Sequence, residues 1–441
     1  MRNTCRLLIP LRHTTYCRYL KIKQWLGLNS QNVNTSYWSR PCCISLHSDS
    51  ANIVAQTNTN GSSKRRLVLG IETSCDDTGA AVVDDRGIVV GDALNSQTKT
   101  HVAMGGIIPP IARDLHKENI EPVVSAALEK ANVTLNDLNA VAVTVKPGLS
   151  LSLLVGLQYA KQLVKKTGLP LIPIHHMEAH ALTARMITRV DFPFLVLLIS
   201  GGHCLLAVAR GISDFLLLGH GLDDSPGEAF DKTARQLKLK NLPQCQELSG
   251  GAAIELLARD GNPKKFAFPQ VMTRIPDCNF SFAGIKFNAK KLIEAEETKL
   301  QISASAVLPN APDICASFQY AVLYHLARRL QRAFLFCELR GFLPKQKTLV
   351  LSGGVASNQY IREGLQQICE KFSCQLVCPP PHLCTDNGIM IAWNGMEKLL
   401  QNTGQVHDVD ALDIQPKCPF GVDISQELKD ASIKLPQLKL H

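Results

Sequence analysis

The chain has 441 residues, 45% of them hydrophobic and 6% aromatic, which leaves room for two domains with aliphatic cores. No uninterrupted apolar run reaches the length of a membrane span. The net charge of +9 sits entirely in residues 1–66, where ten Lys/Arg accompany a single acid, Asp49, and the remainder is neutral. The body is therefore not a uniformly basic nucleic-acid binder, and any such surface on it must be local.

The first 66 residues are Arg-rich, Ser-rich and almost free of acids, the composition of a mitochondrial transit peptide, and they lack the apolar core of a secretory signal. The other reading of that segment is a basic tail that binds nucleic acid. The fifteen cysteines are scattered and form no Cys-x-x-Cys pair. In a large chain kept in a reducing compartment they are expected as thiols, with no zinc ribbon.

From Leu67 the body alternates strands and helices. LVLGIE at 67–72 is a buried strand, 73–79 a polar turn, 80–83 a strand, and 84–87 a hairpin turn into 88–90. Helical spacing covers 111–130, a capped turn 134–138, a strand 140–145 and a helix 151–166. A strand at 169–174 leads into a helix that begins near His176. The pattern then restarts with strands at 194–199, 204–208 and 215–218. Helices are expected over 227–239, from Gly250, after Lys286 and over 312–337. A strand at 348–351, a helix at 359–371, a strand at 375–378 and a helix from Gly388 to Leu400 follow, and the tail after Gln401 reads as loop. The two hairpin-led halves argue for an internal duplication and for α/β lobes whose mixed sheets are covered by helices. The expected organisation is a leader at 1–66, a first lobe at 67–191, a second lobe at 192–400 and a tail at 401–441.

His176 and His180 are spaced i,i+4, which puts both imidazoles on one helix face at the carboxyl end of a strand, where α/β proteins bind ligands. The alternative is a satisfied polar pair. Asp386, at a strand-to-helix junction, would complete an open His₂Asp metal set, unless it or Thr385 serves only as a helix cap. Two Ser-Gly-Gly turns, 200–202 and 352–354, each follow an aliphatic strand. With the acidic turn at 73–78 they match the loops of a two-lobed nucleotide site. No Gly-x-x-x-x-Gly-Lys-Ser/Thr occurs, so this is not a P-loop enzyme. His-Met-Glu-Ala-His lacks the Glu directly after the first His that a zincin uses as base, because Met177 stands there.

GIETSCDDT (70–78), PGL (147–149), HHMEAH (175–180), LLISGGH (197–203), GEAFDK (227–232), NFSFAGIK (279–286), SGGVASN (352–358) and CTDNGIMIAW (384–393) occur in that order. Together they closely resemble the tRNA adenosine threonylcarbamoyltransferase family, and the basic leader is similar to that of its mitochondrial members. The resemblance implies an actin/Hsp70/sugar-kinase-like (ASKHA) fold of two lobes around a nucleotide cleft. It also implies transfer of threonylcarbamoyl from threonylcarbamoyl-adenylate to N6 of the adenosine 3′ of the anticodon, in tRNAs reading codons that begin with A. Carried over by motif, the metal ligands are His176, His180 and Asp386, holding one divalent ion, zinc or iron. Substrate and nucleotide contacts fall on Leu198, Ile199, Ser200, Gly201, Gly202, Asp231, Gly251, Glu255, Ser357, Asn358 and Thr385, and Asp76 is the acid of the first turn. The implied setting is the mitochondrial matrix, as a homodimer without membrane insertion, acting on mitochondrial tRNA with a separate synthase supplying the adenylate. Cys204, Pro110 and Ala283 depart from the family's usual Thr, Glu and Ser.

An exocyclic adenine amine is a poor nucleophile and the donor is already an activated anhydride. Such an enzyme mainly positions its reactants and stabilises developing oxyanion charge, and Asp76 or a metal-bound water is the expected proton acceptor. For tRNA phosphates the local candidates are Lys264 and Lys265; Lys286, Lys290 and Lys291; and Arg328, Arg329 and Arg332. A kinase or ATPase on the same fold, a metalloprotease and a non-catalytic scaffold remain as rivals.

Overall fold

The computed structural model describes residues 65–104, 106–303 and 305–440. The basic leader, through residue 64, lies outside the described residues. In chain order come β1 (Leu67–Glu72), β2 (Asp77–Asp84), β3 (Val89–Ser96), α1 (Thr98–Ala103), α2 (Pro109–Ala131), β4 (Ala140–Lys146), α3 (Ser150–Thr167), β5 (Leu171–His175) and α4 (His176–Ile187). Then follow β6 (Phe194–Ile199), β7 (Cys204–Gly211), β8 (Asp214–His220), α5 (Pro226–Gln236), α6 (Gly250–Ala258), α7 (Ala283–Leu300), α8 (Ala311–Arg340), β9 (Lys347–Ser352), α9 (Gln359–Lys371), β10 (Cys374–Val377), α10 (Pro381–Cys384), α11 (Gly388–Leu400), β11 (Val422–Asp423) and α12 (Ser425–Asp430).

The first sheet runs β3-β2-β1-β4-β5 and the second β10-β9-β6-β7-β8-β11. In each, the first three strands are antiparallel neighbours, and the fourth and fifth add in parallel beside the first. The halves are therefore one topology used twice, as the restarted strand pattern implies. Leu69 pairs with Val82 and Val141, and Leu197 pairs with Leu206 and Leu351.

Each sheet is apolar on both faces, as covered mixed sheets are. Leu69, Ile71, Val82 and Val141 pack outward, in one cluster with Val124 of α2 and Val155 of α3. Val68, Ala81, Ala142 and Ile172 face the other way, onto Ile389, Ala392 and Met396 of α11. In the second sheet Leu197, Leu206 and Leu351 cluster with residues of α5 to α9, while Val196, Leu198 and Val350 meet Met177, Ala181 and Ala184 of α4. The two inner helices are thus exchanged. α4 follows the first sheet and packs on the second, α11 follows the second and packs on the first, and the two helices touch. A Cβ on Gly70 would lie 2.2 Å from the Ala392 backbone nitrogen, and one on Gly395 2.5 Å from the Ala142 Cβ. Glycine is needed at both positions for α11 to lie this close to the sheet.

Two local expectations change. β2 starts at Asp77 rather than Ala80, because β3 runs on to Ser96 and pairs Asp77 with it. β3 was legible only at its start because its later residues, Asn95 and Ser96 among them, are largely exposed. The tail is not plain loop. It bonds to the first lobe through Val406–Leu171 and Gln415–Val145, adds β11 to β8, forms α12, and then buries Leu438 and Leu440 in the core of the second lobe. The eleven cysteines among the described residues are free thiols. No helix among the described residues is long and apolar enough to cross a membrane.

Candidate active site

β5 ends at His175 and α4 begins at His176. His175 caps the helix, its Nδ1 accepting from the Met177 N–H at 3.2 Å. Burial holds this imidazole down at about 3, so it stays neutral, and it is outside the ligand set because Nδ1 serves the cap and Nε2 faces Pro419 O at 3.3 Å. His176 and His180 then lie one turn apart, rings edge to face with centroids 4.7 Å apart. The junction before α11 supplies the third group. Asn387, not Asp386 or Thr385, is the cap of that helix, its side chain accepting from Met390 N–H at 2.9 Å. Asp386 is thereby released toward the histidines. Its Oδ1 lies 3.0 Å from His180 Nε2 and 3.4 Å from His176 Nε2.

A buried carboxylate stands behind the triad. Glu72, the last residue of β1, is fully buried. Its Oε1 accepts from Ser74 N–H at 2.5 Å, and its Oε2 from the Thr144 hydroxyl at 2.5 Å and from His176 Nδ1 at 3.2 Å. A carboxylate can only accept here, so His176 keeps a proton on Nδ1, and a cation bound beside Asp386 and His180 would take the place of the proton on Nε2. Burial opposes charge at His176, yet Asp386 and Glu72 together hold its pKa well above the usual histidine value. Asp386, though half-buried against the same ring, is held well below the usual carboxylate range by His176 and then His180. Two imidazole nitrogens and a carboxylate oxygen, all within 4.8 Å of one another, fit a divalent cation. The Asp386 side chain is 26% exposed, which leaves the set open on one side.

The turn 73–78 is braced on several sides. Ser74 O accepts from Leu149 N–H of the PGL loop at 2.8 Å, and Ser74 Oγ lies 3.1 Å from His176 Nδ1. His116 of α2 bonds Thr78 Oγ1 at 2.8 Å and Cys75 O at 3.0 Å. This fixed backbone leaves Asp76 half-buried. Beside it, burial pushes the Asp77 carboxyl up to about 7; a Ser96 hydrogen bond opposes the rise and the Asp76 charge adds to it.

Leu198 and Ile199 end β6, and Ser200, Gly201 and Gly202 form the turn after it. Ser200 Oγ accepts from His203 N–H at 3.0 Å. His203 in this turn feels the charges of His176, His180 and Asp386. The second Ser-Gly-Gly turn lies against the first. Gly353 has φ 98°, and a Cβ there would sit 2.4 Å from Ile199 O. Ser225 caps α5, accepting from Glu228 N–H at 3.2 Å. Asp231 accepts from the Gly250 and Gly251 amides at the start of α6. Glu255 Oε1 accepts from Gln359 N–H at 2.9 Å, and Asn358 caps α9 through Ile361 N–H at 3.0 Å. Ser357 lies in the short 3₁₀ turn just before it, and Thr385 is exposed beside Asp386.

Glu178 does not face the triad. It pairs with Lys398 of α11 at 3.4 Å, and Met177 is buried on the second sheet, so the zincin arrangement is absent among the described residues. Of the basic candidates, Arg329 and Arg332 are buried and donate to backbone carbonyls of Met272, Ile275 and Asp277. They hold a loop rather than present a phosphate surface. Lys265 pairs with Asp313 at 2.8 Å, and Lys286 pairs with Asp224. Sequence reasoning missed Glu72 and Ser74. The available signal was an acid closing an otherwise apolar strand, immediately before the polar turn.

The duplicated sheets, the exchanged inner helices and the turns at the ends of β6 and β9 define a two-lobed protein of the ASKHA class with a metal-ready triad. The tRNA N6-adenosine threonylcarbamoyltransferase (TsaD) family model matches residues 88–393. The mitochondrial enzyme of that name from Mus musculus is 54% identical over 376 residues, covering 85% of this chain and 91% of the mouse protein. The Homo sapiens enzyme is 53% identical over the same shares. Among solved structures, component A of the (R)-2-hydroxyglutaryl-CoA dehydratase of Acidaminococcus fermentans aligns with TM-score 0.43 at 14% identity, over 76% of this chain and 99% of that one. The chain belongs to the tRNA N6-adenosine threonylcarbamoyltransferase family.

Proposed function

We propose that this transferase moves the threonylcarbamoyl group from threonylcarbamoyl-adenylate to N6 of the adenosine 3′ of the anticodon, in mitochondrial tRNAs that read codons beginning with A. The observation that carries the reading is the convergence of His176, His180 and Asp386 to within 4.8 Å of one another, with α4 packed on β6, the strand that leads into the turn at Ser200. The nucleophilic N6 forms a bond to the carbamoyl carbon, the bond from that carbon to the phosphate oxygen breaks, and AMP leaves with the electron pair. The amine proton passes to Asp76, whose turn is held rigid by Ser74, Thr78 and His116. Ser200, Gly201 and Gly202, with Leu198 and Ile199 below them, cradle AMP. Asp231 of α5, Gly251 and Glu255 of α6, Ser357 and Asn358 before α9, and Thr385 before α11 complete its pocket. His176, His180 and Asp386 would hold one zinc or iron ion, which supplies Lewis-acid polarisation of the donor. Glu72 keeps His176 in the liganding tautomer. The working form is a homodimer in the mitochondrial matrix, fed by a separate synthase.

The test supplies the protein with an unmodified tRNA of this class and with threonylcarbamoyl-adenylate made in place, then reads t6A in digested tRNA by mass spectrometry. Product from the unsubstituted chain and none from His176→Ala/His180→Ala is expected. Equal product from both would refute the role of the histidines. ATP hydrolysis without tRNA, in place of product, would favour a kinase-like enzyme.

A further inference from the structure

The second lobe holds a cavity of about 200 Å³ between α8 and the segment that joins α6 to α7. It lies apart from the triad and the Ser-Gly-Gly turns, but a short path links them. Cys204, next to the first turn, accepts from Gly221 N–H, Phe280 O accepts from Leu222 N–H, and His325 in the cavity wall accepts from Ser281 N–H at 3.1 Å.

The cavity's chemistry is uneven. Tyr320 and Tyr324, one helical turn apart with ring centroids 6.2 Å apart, form an aromatic wall. Arg329 and Arg332 line the interior. Each is buried, and the Nε of each has no hydrogen-bond partner among the described residues. Lys264 is exposed and Arg328 half-buried, and neither enters an ion pair among the described residues, although Arg328 donates to Pro436 O at 3.0 Å. No Asp or Glu lines the cavity, and the nearest acid partner, Asp277, is 3.6 Å from Arg329. Buried donors without acceptors are costly unless a ligand supplies the acceptors. Aromatic faces beside free N–H donors and exposed positive charge are what a base and its phosphate require.

We propose that this cavity is a second nucleotide subsite, which takes one splayed-out nucleotide of the tRNA substrate. The base lies against Tyr320 and Tyr324 and turns an acceptor edge, such as uracil O4 or guanine O6, to Arg329 and Arg332. The phosphate sits at Lys264 and Arg328. The body's charge is balanced, and Lys265 and Lys286 are already neutralised by acids, so the free cations here are well placed to supply local phosphate contact. The same chemistry would hold a free nucleoside monophosphate, which the test separates. The proposal rests on the transferase reading.

The experiment measures tRNA affinity of the full chain by fluorescence anisotropy across a salt series, with KM for tRNA and for threonylcarbamoyl-adenylate alongside. Lys264→Ala/Arg328→Ala should weaken tRNA binding about tenfold or more and lower the salt slope by about two, leaving KM for the adenylate unchanged. Tyr320→Leu should weaken tRNA binding about tenfold with the salt slope unchanged. Unaltered tRNA affinity in both variants, with normal t6A from the unsubstituted chain, would overturn the subsite alone. Loss of uridine or guanosine monophosphate binding with tRNA affinity intact would also overturn it, in favour of a free nucleotide. An unsubstituted chain that neither binds nor modifies tRNA would remove the transferase reading and the subsite together.

Discussion

Replacing Glu72 by Gln changes one atom and is predicted to disturb the metal set from behind. Glu72 accepts three hydrogen bonds, from Ser74 N–H on one oxygen and from Thr144 and His176 on the other. A glutamine has one acceptor oxygen. If that oxygen faces Ser74, the amide NH₂ meets His176 Nδ1, which must give up its proton to accept. The proton then moves to Nε2, and the ring is lost as a ligand. If the oxygen faces His176 instead, NH₂ opposes Ser74 N–H, and a buried donor is stranded at a cost of about 1–3 kcal/mol. Substitutions behind metal-bound histidines lower affinity roughly 10–100-fold, or about 1.4–2.7 kcal/mol. The assay is competition for zinc against a chromophoric chelator, with thermal unfolding measured on the same sample. The expected result is a Kd raised at least about tenfold. A folded Glu72→Gln protein whose zinc Kd stays within about twofold would refute the claim that Glu72 fixes the tautomer.

Two further outcomes follow from burial and packing. His325 is buried and its pKa is pushed down to about 3 by burial, with Arg329 adding to the effect. A depressed histidine contributes fully above its unfolded value of 6.5 and progressively less as pH falls toward 3. Between neutral pH and pH 5 this group should therefore remove about 2 kcal/mol of stability. His325→Gln keeps an acceptor for Ser281 N–H and should flatten that part of a denaturant-derived stability profile; an unchanged slope would show that another group carries it. Gly70→Ala should lower stability by about 3 kcal/mol or more, since its Cβ would fall 2.2 Å from the Ala392 nitrogen. Unaltered thermal unfolding would show that α11 can lift away from the sheet.

How much was legible differs by residue. Buried strands such as Phe194–Ile199 and the helix Gln359–Lys371 were bounded to the residue, because Pro193 and Ser200 bracket the apolar run of the strand and Asn358 caps the start of the helix. The histidine pair was legible from spacing alone, since i,i+4 fixes a shared face. Asp386 could be named but not distinguished from a cap, because Thr385, Asp386 and Asn387 are all competent caps and only the backbone decides among them. Glu72 was hidden because its partners, Thr144 and His176, are 72 and 104 residues away. The clustered arginines near 330 read as a surface because sequence carries no sign of which backbone carbonyls will meet them.

The exchange of α4 and α11 between sheets bears on how the chain comes to exist. Synthesis runs from the amino terminus, so Val68, Ala81, Ala142 and Ile172 emerge roughly two to three hundred residues before Ile389, Ala392 and Met396, which cover them. Throughout that interval one apolar face of the first sheet has no native cover, the condition under which long-range topologies aggregate. The same late segment brings the third metal ligand. A premature stop anywhere before residue 386 therefore removes a ligand and unroofs a sheet at the far end of the sequence. The first lobe cannot be cut out as a self-sufficient fragment, and its completion waits on nearly the whole chain.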